Sequence, residues 1–450
     1  MTATPAAGGA AWHLPDGDID TVVGTVVNPA GLILAKTVSG RRAGAFADPG
    51  LGASPSWHAF AIDQVGIAFT GEVGVVGDQR LRIDPAALRI VDRGLAWAPA
   101  GFFEQDGATV PACARGTLRR VEAALAAAGV TAAVGHEVEF VLVAPDGARL
   151  PSTLWAQYGL AGVLEHEAFV RDVITHAEAA GVGIEQLHPE YGANQFELSL
   201  PPQSPVAAAD QLVLTRLLVG RLARRHGLRA SFSPVPFAGG VGSGAHQHFS
   251  LHTRGGPVFS GGTGARGMRP AGESALAGVV SGLTQAQGVL CGSIVSGLRL
   301  RPGNWAGAYA CWGTENREAA ARFIAAGPAN PHGANVEVKV VDPSANPYLA
   351  SAVILGLALD GIRRQAPLPP EVTVDPARLS EAERRQGGIV GLAPSQPEAI
   401  AALDRSALVR NLLGDAAVDM VVAVRRLEHE RYGDLTPEDL VNTFRMAWSV

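Results

Sequence analysis

The sequence predicts an α+β protein of two units, residues 1–108 and 109–450. Three observations carry that expectation. The first hundred residues hold short β-rich runs separated by turns. From about residue 117 onward, segments with helical period alternate with further strand-like runs. Hydrophobic residues make up 47% of the 450 residues and charged residues 17%. Average proteins carry roughly 25% charged residues, so much surface is buried here, in a large core or between subunits.

In the first unit, TVVGTVV (21–27), the turn Asn28-Pro29-Ala30-Gly31 and LILAKTV (32–38) predict a hairpin. VGIAFTG (65–71) and VGVVGDQRLRI (73–83) continue as short strands, and APAGFFEQDGATVPACARG (98–116) reads as a connection between units. TLRRVEAALAAAG then predicts a helix with Gly129 as its C-cap. VTAAVGHEVEFVLV (130–143) is a strand, EHEAFVRDVITHAEAAG a helix ending at Gly181, and GIEQLHPEYGANQFELSL two strands around a turn at Gly192. VAAADQLVLTRLLVGRLARRHG is a long helix closed by Gly227. GAHQHFSL and ANVEVKVV are further strands, NPYLASAVILGLALDGIRR an apolar helix, and the last quarter is mostly helical, including DMVVAVRRLEHERY.

Composition narrows the function. A net charge of −6 with no basic run excludes nucleic acid and anionic membranes as expected partners. Cys113, Cys291 and Cys311 form no CxxC pair, so neither a disulfide scaffold nor a cysteine zinc site is expected. The opening residues lack a basic stretch followed by an apolar one, and the expectation is a cytoplasmic protein. Ser274–Leu298 is uncharged and long enough for a bilayer, but its glycines and hydroxyl and amide residues predict a buried helix of a globular protein. Lysine occurs only at 36 and 339, neither after glycine, which excludes a P-loop.

Three strands carry polar residues two apart, hence on one face: Glu137 and Glu139, His246 and His248, Glu337 and Lys339. Glu190 and Glu197 flank the Gly192 turn and can converge from adjacent strands. A single such pair reads as the solvent face of a half-buried strand. Several together, set among valine and phenylalanine, are costly unless paired or bound to metal. Five glutamates and a histidine make a hard, oxygen-rich set suited to magnesium or manganese with a phosphate substrate. Arg299, Arg301, Arg317 and Arg322 supply guanidinium forks that match carboxylate and phosphate oxygens. Gly262-x-Gly264-x-x-Gly267 lacks the strand and acid of a dinucleotide fingerprint. The Glu-His-Glu triplets at 165–167 and 428–430 read as solvated helix faces.

GHEVEF, HPEYGANQFE, GSGAHQHFSL, RLRPG, WGTENREAAAR and VEVKVVDPSANPYLASAVILGLALDGI resemble, in content and order, the glutamine synthetase superfamily of type I. Within it they are most similar to actinobacterial paralogues related to γ-glutamylpolyamine synthetases. The resemblance implies an N-terminal β-grasp domain before a catalytic domain whose curved sheet forms half of a funnel. It implies hexameric rings stacked as dodecamers, with active sites between subunits. It implies two to three divalent ions, magnesium or manganese, and ATP and L-glutamate as substrates with an amine acceptor. By motif match Glu139, Glu190 and Glu197 hold one ion, and Glu137, His246 and Glu337 another. His248 and Ser250 face the nucleotide, Arg317 and Arg322 its phosphates, and Arg299, Gly242 and Lys339 the glutamate. Asp63 and, more loosely, Asp78 come from a neighbouring subunit to attract and deprotonate the amine.

Departures from the family pattern bear on the acceptor. Trp305 stands where housekeeping enzymes carry a flap glutamate, Val241 where an asparagine opens the N-G-S-G-x-H motif, and Lys339 and Asn335 where arginines flank the last metal glutamate. The leading expectation is a ligase joining glutamate to an organic amine such as spermine. The alternatives are glutamine synthetase using ammonium and a catalytically weak regulatory paralogue.

Overall fold

A computed structural model describes Leu14 and residues 19–152 and 154–450. The opening segment read for a leader lies outside the described residues, Leu14 and the two residues after Asp18 apart.

Two sheets organise the chain. The first is built from β1 (Ile19–Val27), β2 (Ile33–Ser39), β3 (Leu51–Ala53), β4 (Gln79–Ile83), β5 (Arg89–Asp92) and β6 (Gly94–Phe103). Its order is β2-β1-β6-β4-β3, with β5 on β6. β1 and β2 form the predicted hairpin, in register from Val27↔Ile33 to Thr21↔Ser39. The second sheet has ten strands: β7 (Thr131–Val143), β8 (Gln186–Pro189), β9 (Gln195–Ser199), β10 (Arg229–Ser231), β11 (Gln247–Thr253), β12 (Gly256–Pro257), β13 (Tyr309–Thr314), β14 (Ala319–Ile324), β15 (Asn335–Val338) and β16 (Val390–Gly391). Its order is β16-β13-β14-β15-β11-β7-β9-β8, antiparallel except for β13 beside β14. Helices cover this sheet, and the whole is the mixed α+β architecture expected.

The predicted helices form as Ala114–Ala127, Glu167–Ala179, Pro205–Arg225, Pro347–Arg364 and Asp415–Tyr432. The uncharged stretch lies mostly in the helix Pro270–Leu290. Its glycines serve a helix crossing: a Cβ on Gly278 would lie 2.3 Å from the Leu357 carbonyl oxygen, and one on Gly361 2.1 Å from that of Ser274. Two backbones thus touch where side chains would hold them apart. Among the described residues no helix is long and apolar enough to cross a membrane.

Three local expectations are corrected. VGIAFTG is no strand; it is irregular chain with bends at Val65 and Gly71, joined to Phe60 by one bridge at Ile67, because Asp63 Oδ1 accepts from the Val65 and Gly66 amides and curls the chain. APAGFF is no connection; it is the second half of the buried strand β6. Pro99 is tolerated there because β6 changes partner at that point, pairing with β1 up to Thr25↔Pro99 and with β4 from Ile83↔Ala100. The Glu-His-Glu triplets are not both solvated faces: Glu428 is 0% exposed, ion-paired to Arg425 at 2.6 Å. The other triplet spans the join of two helices, where His166 Nε2 meets Asn194 Oδ1 at 2.9 Å.

Candidate active site

The registers of the second sheet put two polar rows side by side. Across β14, β15 and β11, Arg322 is opposite Glu337 and Glu337 opposite His248. Across β7, β9 and β8, Glu139 is opposite Glu197 and Glu197 opposite His188. Between the rows lie Glu137, one pleat back on β7, and His246, just before β11. The Glu137 amide donates to the His246 carbonyl at 3.0 Å, and the Glu139 amide to that of Gly244, also at 3.0 Å.

Side-chain distances follow from that register. His246 Nδ1 lies 3.3 Å from both Glu137 Oε2 and Glu337 Oε1. His248 Nε2 is 3.4 Å from Glu137 Oε1, and Asn335 Oδ1 holds its other ring nitrogen at 2.9 Å. His188 Nε2 lies 3.6 Å from Glu190 Oε1 and 3.6 Å from Glu197 Oε1. Glu139 stands between the groups: its Oε2 accepts from Gln195 Nε2 at 2.9 Å, and its Oε1 is 3.9 Å from His246 Nε2. Three sets bring their ligand atoms within 4.8 Å of one another: Glu137, His248 and Glu337; Glu137, Glu197 and His246; His188, Glu190 and Glu197.

Cations frame the acids. Arg299 is buried and donates through Nη2 to His246 Nε2 at 3.2 Å and to the Lys339 carbonyl at 3.1 Å. Lys339 Nζ is 3.0 Å from Glu337 Oε1, and Arg322 Nη1 3.1 Å from its Oε2. Gly242 lies against Arg299, where a Cβ would come within 2.8 Å of the arginine Cγ. Its carbonyl accepts from Gln195 Nε2 at 2.9 Å. Arg317 is exposed, and Ser250 shares the half-buried face of β11 with His248.

Electrostatics show what the cluster lacks. Burial, and then the carboxylates of Glu137, Glu139, Glu190 and Glu337, push Glu197 well above the usual carboxyl range. Burial also lifts Glu139, to about 7, against the pull of Arg299 and with repulsion from Glu190. Burial alone would depress His248, yet Glu137 and Glu337 raise it to about 9. Glu337 resists the effect of burial because Lys339 and the two histidines hold it down, at about 2. Glu197 and Glu139 are thus pushed toward keeping a proton, while Glu137, Glu190 and Glu337 are held down by their hydrogen-bonding and cationic partners; the five crowded carboxylates are a hard-donor set short of positive charge. A divalent cation of the magnesium or manganese type fits that set.

Residues 111–441 match the catalytic domain of glutamine synthetase. The chain belongs to the glutamine synthetase family. It is 41% identical over 437 residues to the γ-glutamylpolyamine synthetase GlnA3 of Streptomyces coelicolor, covering 95% of this chain and 93% of that protein. It is 32% identical over 344 residues to the glutamine synthetase of Mycolicibacterium smegmatis, covering 75% and 77% respectively. The fold superposes on a crystal structure described as a novel glutamine synthase homolog with TM-score 0.85 and 28% identity, covering 96% of this chain and 99% of that one. Ligand-free GmaS superposes with TM-score 0.81 at 26% identity, covering 93% and 94%.

Within this glutamine synthetase fold, the acids named from the N-terminal unit stand apart from the metal-type cluster of their own chain. Asp63 Oδ2 accepts from Arg431 Nη1 and from the Tyr432 hydroxyl, both at 2.7 Å. Asp78 is exposed in the loop before β4. Trp305 is half exposed on the loop after Arg299. Sequence reasoning missed His188, Gln195 and Tyr158. His188 and Gln195 each lie two residues before a singled-out glutamate, so the spacing used elsewhere would have found them. Tyr158 had no such signal: its loop brings the hydroxyl onto Glu190, and burial and that carboxylate raise it to about 12.

Proposed function

We propose that the protein is an ATP-dependent ligase joining the γ-carboxylate of L-glutamate to an organic amine, with a polyamine such as spermine as acceptor. The observation that carries this reading is the double row of carboxylates and histidines closed by Arg299 and Arg322. The polyamine acceptor is supported by the 41% identity to a γ-glutamylpolyamine synthetase and by Trp305 at the flap position. Residues 1–108 form the β-grasp unit and 109–450 the catalytic one in this reading. The enzyme works in the cytoplasm as hexameric rings, stacked as dodecamers.

Glu139, Glu190 and Glu197 hold one ion, and Glu137, His246 and Glu337 another, with His188 available to a third. Bound magnesium or manganese supplies neutralising charge for phosphoryl oxygens. The chain's own residues do the positioning. Arg299, with Gly242 backbone and Lys339 beside it, orients glutamate. His248 and Ser250 face the nucleotide, and Arg317 and Arg322 draw the terminal phosphate toward the γ-carboxylate. The γ-carboxylate oxygen attacks the γ-phosphorus, ADP leaves, and a γ-glutamyl phosphate forms. The neutral amine then attacks the acyl carbon, phosphate departs, and the amine's proton passes to a nearby carboxylate. Asp63 and Asp78 from a neighbouring subunit gather cations at the entrance.

Phosphate release and product mass, measured with ATP, L-glutamate and a panel of ammonium, putrescine, spermidine and spermine, test the reading. The expected product is a γ-glutamylpolyamine. Activity with ammonium alone makes the enzyme a glutamine synthetase, and no turnover with any amine makes it the weak paralogue.

A further inference from the structure

The loop 300–307 leaves the site at Arg299 and returns to it at Gly307, where a Cβ would lie 3.2 Å from Lys339 Cβ. Its tip is turned by Gly303 at φ +81° and Trp305 at φ +50°. A bulky side chain in the left-handed region is unusual and persists only where its surroundings impose it. Here the imposing group is Glu318. This residue is 8% exposed, and its carboxylate accepts from the Trp305 amide at 2.8 Å and the Gly303 amide at 3.3 Å. Held so, the indole stands over Tyr191, with ring centroids 5.4 Å apart and planes at 58°. Tyr191 is fixed in turn, its amide donating to Glu190 Oε2 at 2.7 Å. The rings make an open wedge rather than a closed stack, and they remain 39% and 50% exposed beside the acidic cluster.

We infer that Tyr191 and Trp305 form a clamp for the alkyl chain of the acceptor amine, and that Glu318 is the positioning residue that sets it. The inference rests on the amine-ligase reading above and deepens it. Ammonium has no methylene to place between two rings. An alkylammonium buries its carbon chain in the wedge and brings its charge toward two ring faces. The wedge therefore selects by chain length, which a charge at the entrance alone does not.

The test is kcat/KM for linear primary amines from methylamine to hexylamine, together with putrescine and spermidine, on the full-length protein. The wild type is expected to gain roughly twofold to fourfold per added methylene. Tyr191→Ala and Trp305→Gly flatten that slope, and Tyr191→Phe keeps it. Glycine adopts the Trp305 backbone conformation freely, so this variant removes the ring while the loop keeps its path. Glu318→Ala flattens the slope as well, and Glu318→Gln, which keeps an acceptor oxygen for the Trp305 amide, restores part of it. An unchanged slope in Tyr191→Ala or Trp305→Gly overturns the clamp. A uniform loss across all amines in Glu318→Ala, with the slope intact, reduces Glu318 to a structural role and overturns its positioning. A wild type that uses no organic amine overturns the enclosing functional reading and the clamp with it; the wild-type panel and the variant slopes separate the two failures.

Discussion

At the residue scale the site depends on close approaches that leave no slack. Gly242 passes Arg299 so tightly that a Cβ would sit 2.8 Å from its Cγ and 3.1 Å from the Pro234 carbonyl oxygen. Gly242→Ala must displace the arginine or the loop. Glutamate KM is expected to rise at least tenfold, read by steady-state kinetics with ATP saturating; an unchanged KM places Arg299 away from glutamate. A second residue carries stability instead of chemistry. Glu428 is fully buried, paired to Arg425 and accepting from Gln396 Nε2 at 3.0 Å. Glu428→Gln leaves a guanidinium buried without its counter-charge, at a cost of about 3–5 kcal/mol. Urea denaturation measures that loss, and the charge-free pair Arg425→Met with Glu428→Leu should recover most of it.

At the element scale, the helix Pro347–Arg364 shows how one side chain ties a helix start to the β1–β2 hairpin. Asn346 Oδ1 caps the helix, accepting from the Tyr348 and Leu349 amides at 3.0 and 3.2 Å. Its Nδ2 donates to the Val27 and Asn28 carbonyls at 2.9 and 3.1 Å, at the end of the N-terminal hairpin. Asn346→Ala removes the cap and strands buried carbonyls, together about 2–3 kcal/mol. Asn346→Asp keeps the cap but turns a carboxylate oxygen on those carbonyls. Both variants should therefore melt below the wild type in a thermal scan, and equal melting would show the hairpin contact to be idle. Strong period and terminal punctuation made this helix, and those ending at Gly129, Gly181 and Gly227, legible in advance. The second half of β6 was not legible, because Pro99 and Gly101 read locally as connection while the changeover of partners that accommodates them is non-local.

At the scale of the whole molecule the described residues form three hydrophobic clusters. One lies under the first sheet, around Phe46, Leu81 and Phe102; the largest packs the second sheet and its helices and takes in Val27, Leu32 and Trp97; a small one gathers Cys311, Ala319, Val372 and Ile389. Only the first sets His58 in its wall, against Phe102 at 4.3 Å between ring centroids and 3.1 Å from Gln79 Oε1. Burial pushes this imidazole down to about 4 from an ordinary value of 6.5, despite the hydrogen bond it donates to Gln79 Oε1. The unfolded chain therefore takes up a proton between about pH 6.5 and 4 that the folded chain refuses. Stability is complete above that window and falls as the pH drops through it, by roughly 3 kcal/mol over the whole span. Urea midpoints at pH 7 and pH 4.5 should show that fall in the wild type and a shallower one in His58→Gln; parallel pH profiles would remove His58 as the cause.

The chain read alone yields the main helices, the strands that carry the site, the spacing-two pairs and the hard character of the donor set. Each of these is a local property: strand period decides which side chains share a face, and composition decides what they bind. Packing of distant segments sets Glu139, Glu197 and His188 in one row, brings Glu318 back to hold Trp305 against Tyr191, and makes Glu428 core rather than surface. Those contacts join residues that neither period nor spacing relates, because sheet register and loop return are fixed by packing of the whole chain.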